Sequence, residues 1–488
     1  MIETVQALSP AEEEGLRQAL VSAVHAFSAR WLPSPDAPSS PSTQLAAASK
    51  SKEELMHNLW IRAHSKVYAT IHRASYALIL ALHLFGHTPA PPGIVEPNSG
   101  DLCLQVSLQH VRTLSSQAHL ISQSESSKVV VSNTIDDSFR TDVSPTDYSQ
   151  MEEIAYWFGI MCDASRSMMK CQPPIVNDSP TSDSKIWDLV RAEVDEFHRK
   201  NVHYRNSRVP IPVEVLYGIV GYGNACTSMF WSAISRVQDA LFHHRTGISV
   251  EEATRVALQE MTRFSKSFEW LLGFVKRDFV LLNEKIRVSC CLLDVDFSLG
   301  VMTLVDLLSA TSYAHLLPSE YELRLTSARE LANSARIAVH LDMTSLGSPL
   351  ENSILLQSPY PEYIVNAFYR AGMSTIHLYK TKSISLSMVE VSLSLICQGL
   401  RILQIVSYAA HSTYKTLQNM CDEVGIKPRP TPAFTTDALL AYESQSFAAN
   451  GNDMFTRQTV QELDNITTSD NTLLEATIQK HERALGLI

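Results

Sequence analysis

The chain lacks most of the short signatures that announce chemistry. Only 17 of its 488 residues are glycine, too few for turn-rich β architecture, while Leu, Ala, Ser and Met are plentiful. None of the eight cysteines (103, 162, 171, 226, 290, 291, 397 and 421) forms a C-x-x-C pair. Zinc-ligand spacing is therefore absent, and the thiols read as buried and reduced in an intracellular protein. No run of five or more basic residues is present to serve as a localisation signal. The balance of 40 Lys+Arg against 51 Asp+Glu gives a net charge of −11, the opposite of a domain that grips DNA phosphates by itself. The opening "MIETVQALSPAEEEG" has neither the basic nor the apolar region of a signal peptide. The run "SYALILALHLFG" (Ser75–Gly86) is shorter than the roughly 20 residues of a membrane span. The expectation is a soluble intracellular protein.

What is present is helical patterning. Hydrophobic residues make up 45% and charged residues 19%, enough apolar material for a sizeable core. Ser9, Pro10 and Glu12 stand in the order of a capping box. Leu16, Leu20, Val24, Phe27 and Trp31 then recur at helical spacing, a stripe that wants a partner. Further helical patterns run over about 52–85, 102–120, 213–246, 249–283, 283–308, 318–339, 361–379 and 386–424. Pro and Ser collect between them. The reading is all-α: an N-terminal amphipathic helix (1–31), a Pro/Ser loop (32–51), one large helical domain (52–424) with loops near 88–101, 121–150 and 172–185, and a weakly structured tail (425–488).

Candidate chemistry is thin. "GIVGYGNAC" (Gly218–Cys226) contains G-x-G but sits inside helical patterning, so small residues for close helix packing are the better reading than a nucleotide loop. His243 and His244 close a helix before "RTG", where cations suit the dipole. Asp294 and Asp296 lie two apart on a helix and face different sides, so they do not form one acid/base site. The adjacent pair Asp136 and Asp137 falls in a polar loop rather than on an apolar helix, unlike the acid clusters of helical terpene enzymes. No catalytic residue, metal site or cofactor is assigned.

The informative stretch is "AYWFGIMCDASRSMMKCQPPIVND" (Ala155–Asp178), followed by "KIWDLV". Trp157, Phe158, Ile160, Met161, Met168 and Met169 give one helix a large apolar content, and Pro173 and Pro174 stop it. It reads as a core helix with a fixed loop, lining a pocket if one exists. This stretch resembles the regulatory region of fungal binuclear zinc-cluster transcription factors, in particular the ethanol-utilisation regulator group. Trp157, Gly159, Met161, Asp163, Gln172, Pro173 and Trp187 stand where that pattern has its recurring residues. "LSPAEEEGLRQALVSAVHAFSARW", "ACTSMFWSAISRVQDALFH" and "LLDVDFSLGVMTLVDLLSA" follow the same order along the chain, so the likeness covers roughly residues 5–415.

The resemblance implies a helical regulator of a metabolic or secondary-metabolite gene cluster, working in the nucleus. It also marks a departure, because the six-cysteine zinc cluster and basic stretch of those proteins are missing. Either the chain has no DNA-reading head, or the gene's first exons have been lost. The expected partner is a protein, such as a full-length zinc-cluster regulator or a second copy in a dimer, with DNA reached indirectly and no membrane. Leu16, Leu20, Phe27 and Trp31 are the expected partner surface. The alternatives are a helical module that senses a small molecule and an all-α biosynthetic enzyme.

Overall fold

A computed structural model describes residues 9–32, 43–91, 99–126, 145–176, 183–206, 211–244, 247–277, 282–340 and 353–427. Among them the fold is all-α. The helices are α1 (Pro10–Ser28), α2 (Thr43–Thr70), α3 (Tyr76–Gly86), α4 (Ser99–Ser126), α5 (Pro145–Lys170), α6 (Asp183–Asn201) and α7 (Val213–Phe242), followed by α8 (Val250–Phe264), α9 (Trp270–Arg277), α10 (Glu284–Ser309), α11 (Glu320–His340), α12 (Pro361–Lys380), α13 (Leu386–Leu403) and α14 (Tyr408–Val424). Two compact units divide the chain: residues 1–188, 226–262 and 405–408 form the first, and 189–225, 263–404 and 409–488 the second.

In the first unit, α1 begins with the capping box that its sequence announces. The Ser9 side chain accepts from the Glu12 N–H, and the Glu12 carboxylate accepts from the Ser9 N–H at 2.9 Å. The buried seam of α1 is Leu16, Ala19, Ser22, Ala23 and Ala26, whereas Val24 is exposed and Leu20 and Phe27 are half-buried. The stripe is thus rotated toward the alanines, because small side chains let α1 lie close against α2 and α3. Ala63 and Val67 of α2, and Leu78, Ala81, Leu82 and Phe85 of α3, complete that core. The expected single helix over 52–85 is two. Ser75 caps α3 by accepting from the Leu78 N–H, and the chain leaves α2 after Thr70, whose hydroxyl turns back onto the Lys66 and Val67 carbonyls.

The second unit is built on α10, buried along most of its length and packed by α11 and α12, with α13 against α11 and α12. Phe264 stacks on Phe297 of α10 at 3.8 Å between centroids. Between α8 and α9 the helix widens into one π turn, Ser265–Glu269. α10 and α13 are long and apolar enough, by length and composition, to cross a membrane, and most of each is buried inside the fold. The expected helix over 386–424 breaks at Gln404–Ser407 into α13 and α14. The expected loops near 88–101 and 121–150 are narrower, since α4 spans Ser99–Ser126 and α5 begins at Pro145. Likewise α2 already begins at Thr43 within the expected Pro/Ser loop, and α6 at Asp183. Residues 33–42, 127–144 (with Asp136 and Asp137) and 428–488 lie outside the described residues.

Candidate functional site

The segment singled out by the sequence forms a local clasp in the first unit. α5 ends at Lys170, and Cys171 takes a left-handed conformation (φ 53°) while the Gln172 N–H bonds the Ser167 carbonyl at 3.2 Å, a helix stop of the Schellman kind. The chain then turns back along its own helix. Asp163, fully buried, accepts from the Ile175 N–H at 2.8 Å and the Val176 N–H at 2.7 Å. One turn on, the Arg166 guanidinium donates to the Gln172 side-chain carbonyl. A buried carboxylate is costly unless hydrogen-bonded; here it holds two loop amides that Pro173 and Pro174 carry back against the helix.

The aromatic members of the motif have separate duties. Trp187, at the start of α6, is buried, and the half-buried Trp157 meets it edge-on at 6.1 Å. Phe158 meets the His83 ring of α3 edge-on at 4.2 Å. Gly159 faces Val111 of α4, where an added Cβ would come within 2.8 Å of a Val111 methyl, so α5 and α4 pack at a distance only glycine permits. Met161 is half-buried, Met168 buried. Trp157, Asp163, Gln172, Pro173 and Trp187 therefore belong to one α5–loop–α6 element, while Phe158 and Gly159 join that element to α3 and α4. α7 anchors its other side: the Gln238 amide donates to the Met168 carbonyl at 2.8 Å.

Beside this element lies a histidine pair, His83 buried and His87 half-buried. His83 and His87 stand 4.4 Å apart between ring centroids, and His83 Nε2 lies 3.6 Å from Cys162 Sγ. Burial, then the neighbouring His87, holds His83 well below the ordinary histidine range. Burial, then the Arg30 charge, lowers His87 to about 3. Cys162 is raised by burial and then by Asp163, so it is a thiol and not a nucleophilic thiolate.

The second unit holds a charge cluster that the sequence reading missed. Lys276 of α9 pairs with Asp294 of α10 at 2.9 Å and with Glu330 of α11 at 2.5 Å. Ser334 donates to Asp294 at 3.3 Å. Lys276, Asp294 and Ser334, with Cys290, Cys291, Leu272, Val275 and Ile337, line a cavity of about 10 Å³, the room of one water molecule. Burial alone would lower Lys276, but the two carboxylates win and raise it. Glu330 is held below the carboxylate range by Lys276 against the opposing effect of burial. Burial pushes Asp294 up. Glu330 is the more exposed of the two carboxylates. Asp296 does not line this cavity. The partners are far apart in sequence, so only the fold reveals them.

The glycine and histidine candidates serve helix packing and a helix end. Gly218 and Gly223 lie inside α7, where added Cβ atoms would come within 2.5 Å of Phe197 and of Leu293 respectively. His243 ends the turn after α7 and its ring meets the Cys171 carbonyl at 3.3 Å. On α1, Leu16 is buried, while Leu20, Phe27 and Trp31 are half-buried, with Arg30 between the rings of Phe27 and Trp31 at 4.2 Å from each. Among the described residues no group of three or more His, Cys, Asp or Glu is placed to hold a metal ion. No protein-family model, no curated protein and no solved structure matches the chain.

Proposed function

We infer that the chain is a helical regulator of transcription that reaches its genes through another protein. The observation that carries this reading is the Asp163 clasp. Five of the residues on which the likeness to zinc-cluster regulators rests, Trp157, Asp163, Gln172, Pro173 and Trp187, lie between α5 and the start of α6, where Asp163 and Gln172 each join the clasp and Trp157 meets Trp187. A recurring set of residues that together fixes a helix, its stop and the next helix is what a shared fold element requires. The net charge of −11 supports contact with promoters through a partner rather than directly. The cavity beside Lys276 has room for a water and not for an inducer, which weighs against the sensing alternative at that place. Disrupting the gene and measuring transcripts tests the reading: a linked set of metabolic genes loses expression, whereas an unchanged transcript profile contradicts it.

A further inference from the structure

After α6 the chain carries no acidic residue from Phe197 to Val213, a stretch that includes Arg199, Lys200, Arg205 and Arg208. In a protein of net charge −11 this run is a local reversal of sign. The fold adds a cation from elsewhere. Phe197 stacks on Phe268 at 5.8 Å, which sets the π turn against the end of α6 and brings the exposed Lys266 near the His198 ring. Burial, then Lys266, hold His198 below the ordinary histidine range, Arg205 adds to this, and Asp195 opposes.

The charges around that ring do not cancel. Asp195 pairs with Arg263, and Glu196 is shared by Arg199 and Lys200. Glu269, on the π turn itself, accepts from Ser265. Against these three carboxylates stand Arg199, Lys200, Arg205, Arg263 and Lys266, and among the described residues neither Arg205 nor Lys266 has a carboxylate partner. Arg199, Lys200, His203, Arg205 and Lys266 are all exposed. The His203 and Tyr204 rings, 4.1 Å apart and tilted to one another, stand among them.

We propose that the end of α6, residues 198–205 with Lys266, is the docking surface for an acidic peptide segment of the protein partner. The proposal rests on the partner-mediated reading above and names the chemistry of the partner. Guanidinium groups bind carboxylates in a forked, charge-assisted geometry. The patch is small, and exposed charges act over only about 8–10 Å at physiological salt. A short run of Asp or Glu needs nothing beyond it. A duplex, by contrast, extends past the patch and meets the rest of an acidic protein.

The test uses the full chain, a fluorescein-labelled poly-glutamate peptide read by anisotropy, and a short DNA duplex as the rival polyanion. Arg205→Glu with Lys266→Glu reverses two cations that support no ion pair among the described residues, so the melting transition holds while peptide affinity falls about tenfold or more. Arg205→Gln with Lys266→Gln gives a smaller loss, and Arg205→Lys with Lys266→Arg restores binding. Peptide binding that survives both the reversed and the neutral pair overturns the proposal, as does the absence of binding by the unaltered chain. Duplex DNA held more tightly than the peptide overturns it in favour of a nucleic-acid surface. These outcomes concern the purified chain, whereas the transcriptional role fails separately, on unchanged transcripts after gene disruption.

Discussion

The Asp163 carboxylate holds the Val176 backbone N–H at 2.7 Å across a separation of 13 residues. That one bond, with its neighbour to Ile175, turns the chain after α5 back against its own helix. It explains why an acidic side chain stands in the middle of an otherwise apolar helix face.

Asp163→Ala leaves two loop amides without their acceptor and is expected to cost about 2–3 kcal/mol, the scale of hydrogen bonds to a charged group. Asp163→Asn keeps one acceptor oxygen and costs less. Urea unfolding of the two variants checks the order; equal stability of Asp163→Ala and the unaltered chain would remove the clasp from the account.

The two tryptophans of the motif separate by burial. Trp187 is buried and Trp157 half-buried, so Trp187→Ala is expected to cost about 3–5 kcal/mol and Trp157→Ala distinctly less. Thermal unfolding of both variants gives the comparison. A reversed order would mean that Trp157 carries the core and Trp187 the surface.

Lys276→Met strips the cluster of its cation and leaves the buried Asp294 and the partly exposed Glu330 without their shared partner. Breaking a buried pair in this way costs about 3–5 kcal/mol. The triple change Lys276→Met, Asp294→Leu, Glu330→Gln removes the orphaned charges as well and is expected to recover most of the loss. Denaturant titration of the single and triple variants decides it.

Acid sensitivity should arise at His83 and His87. Both are lowered in the fold, so the unfolded chain binds protons first. Their contribution to stability is complete above the unfolded value of about 6.5 and is lost as pH falls from there toward the lower folded values. His83→Gln should flatten the fall in melting temperature between neutral and mildly acid pH. An unchanged pH profile would place the sensitivity elsewhere.

How much of this was legible beforehand depended on the range of each interaction. The capping box at Ser9 was readable because its residues are three apart. The end of α5 was readable from Pro173 and Pro174. The breaks after Thr70 and after Leu403 were not, since neither contains Pro or Gly; only the N-cap at Ser75 hints at the first. The facing of α1 was misjudged because alanine gives a weak pattern, although Ala19, Ala23 and Ala26 form its contact. Lys276, Asp294 and Glu330 come from three helices, with 54 residues between the ends of one ion pair, and no local spacing announces them. The π turn at Ser265–Glu269 has no sequence mark that we recognise.

The α1 surface separates docking from folding when the substituted position is chosen by exposure. Leu20→Asp with Phe27→Asp strikes half-buried side chains and disturbs the fold together with any interface. Val24→Asp alters only the exposed face and should leave the melting transition within about 0.5 kcal/mol. If α1 is the partner surface, Val24→Asp lowers transcription of the controlled genes; if transcription is unaffected while the double variant fails, α1 serves folding alone.

The central claim, that the chain reaches promoters only through another protein, is met most directly by chromatin immunoprecipitation. The tagged chain is recovered from a strain that contains the full-length zinc-cluster regulator co-purifying with it, and from one that lacks it. The account predicts promoter occupancy in the first strain and none in the second. Occupancy that persists without the partner would show that the chain finds DNA by itself and would contradict the account.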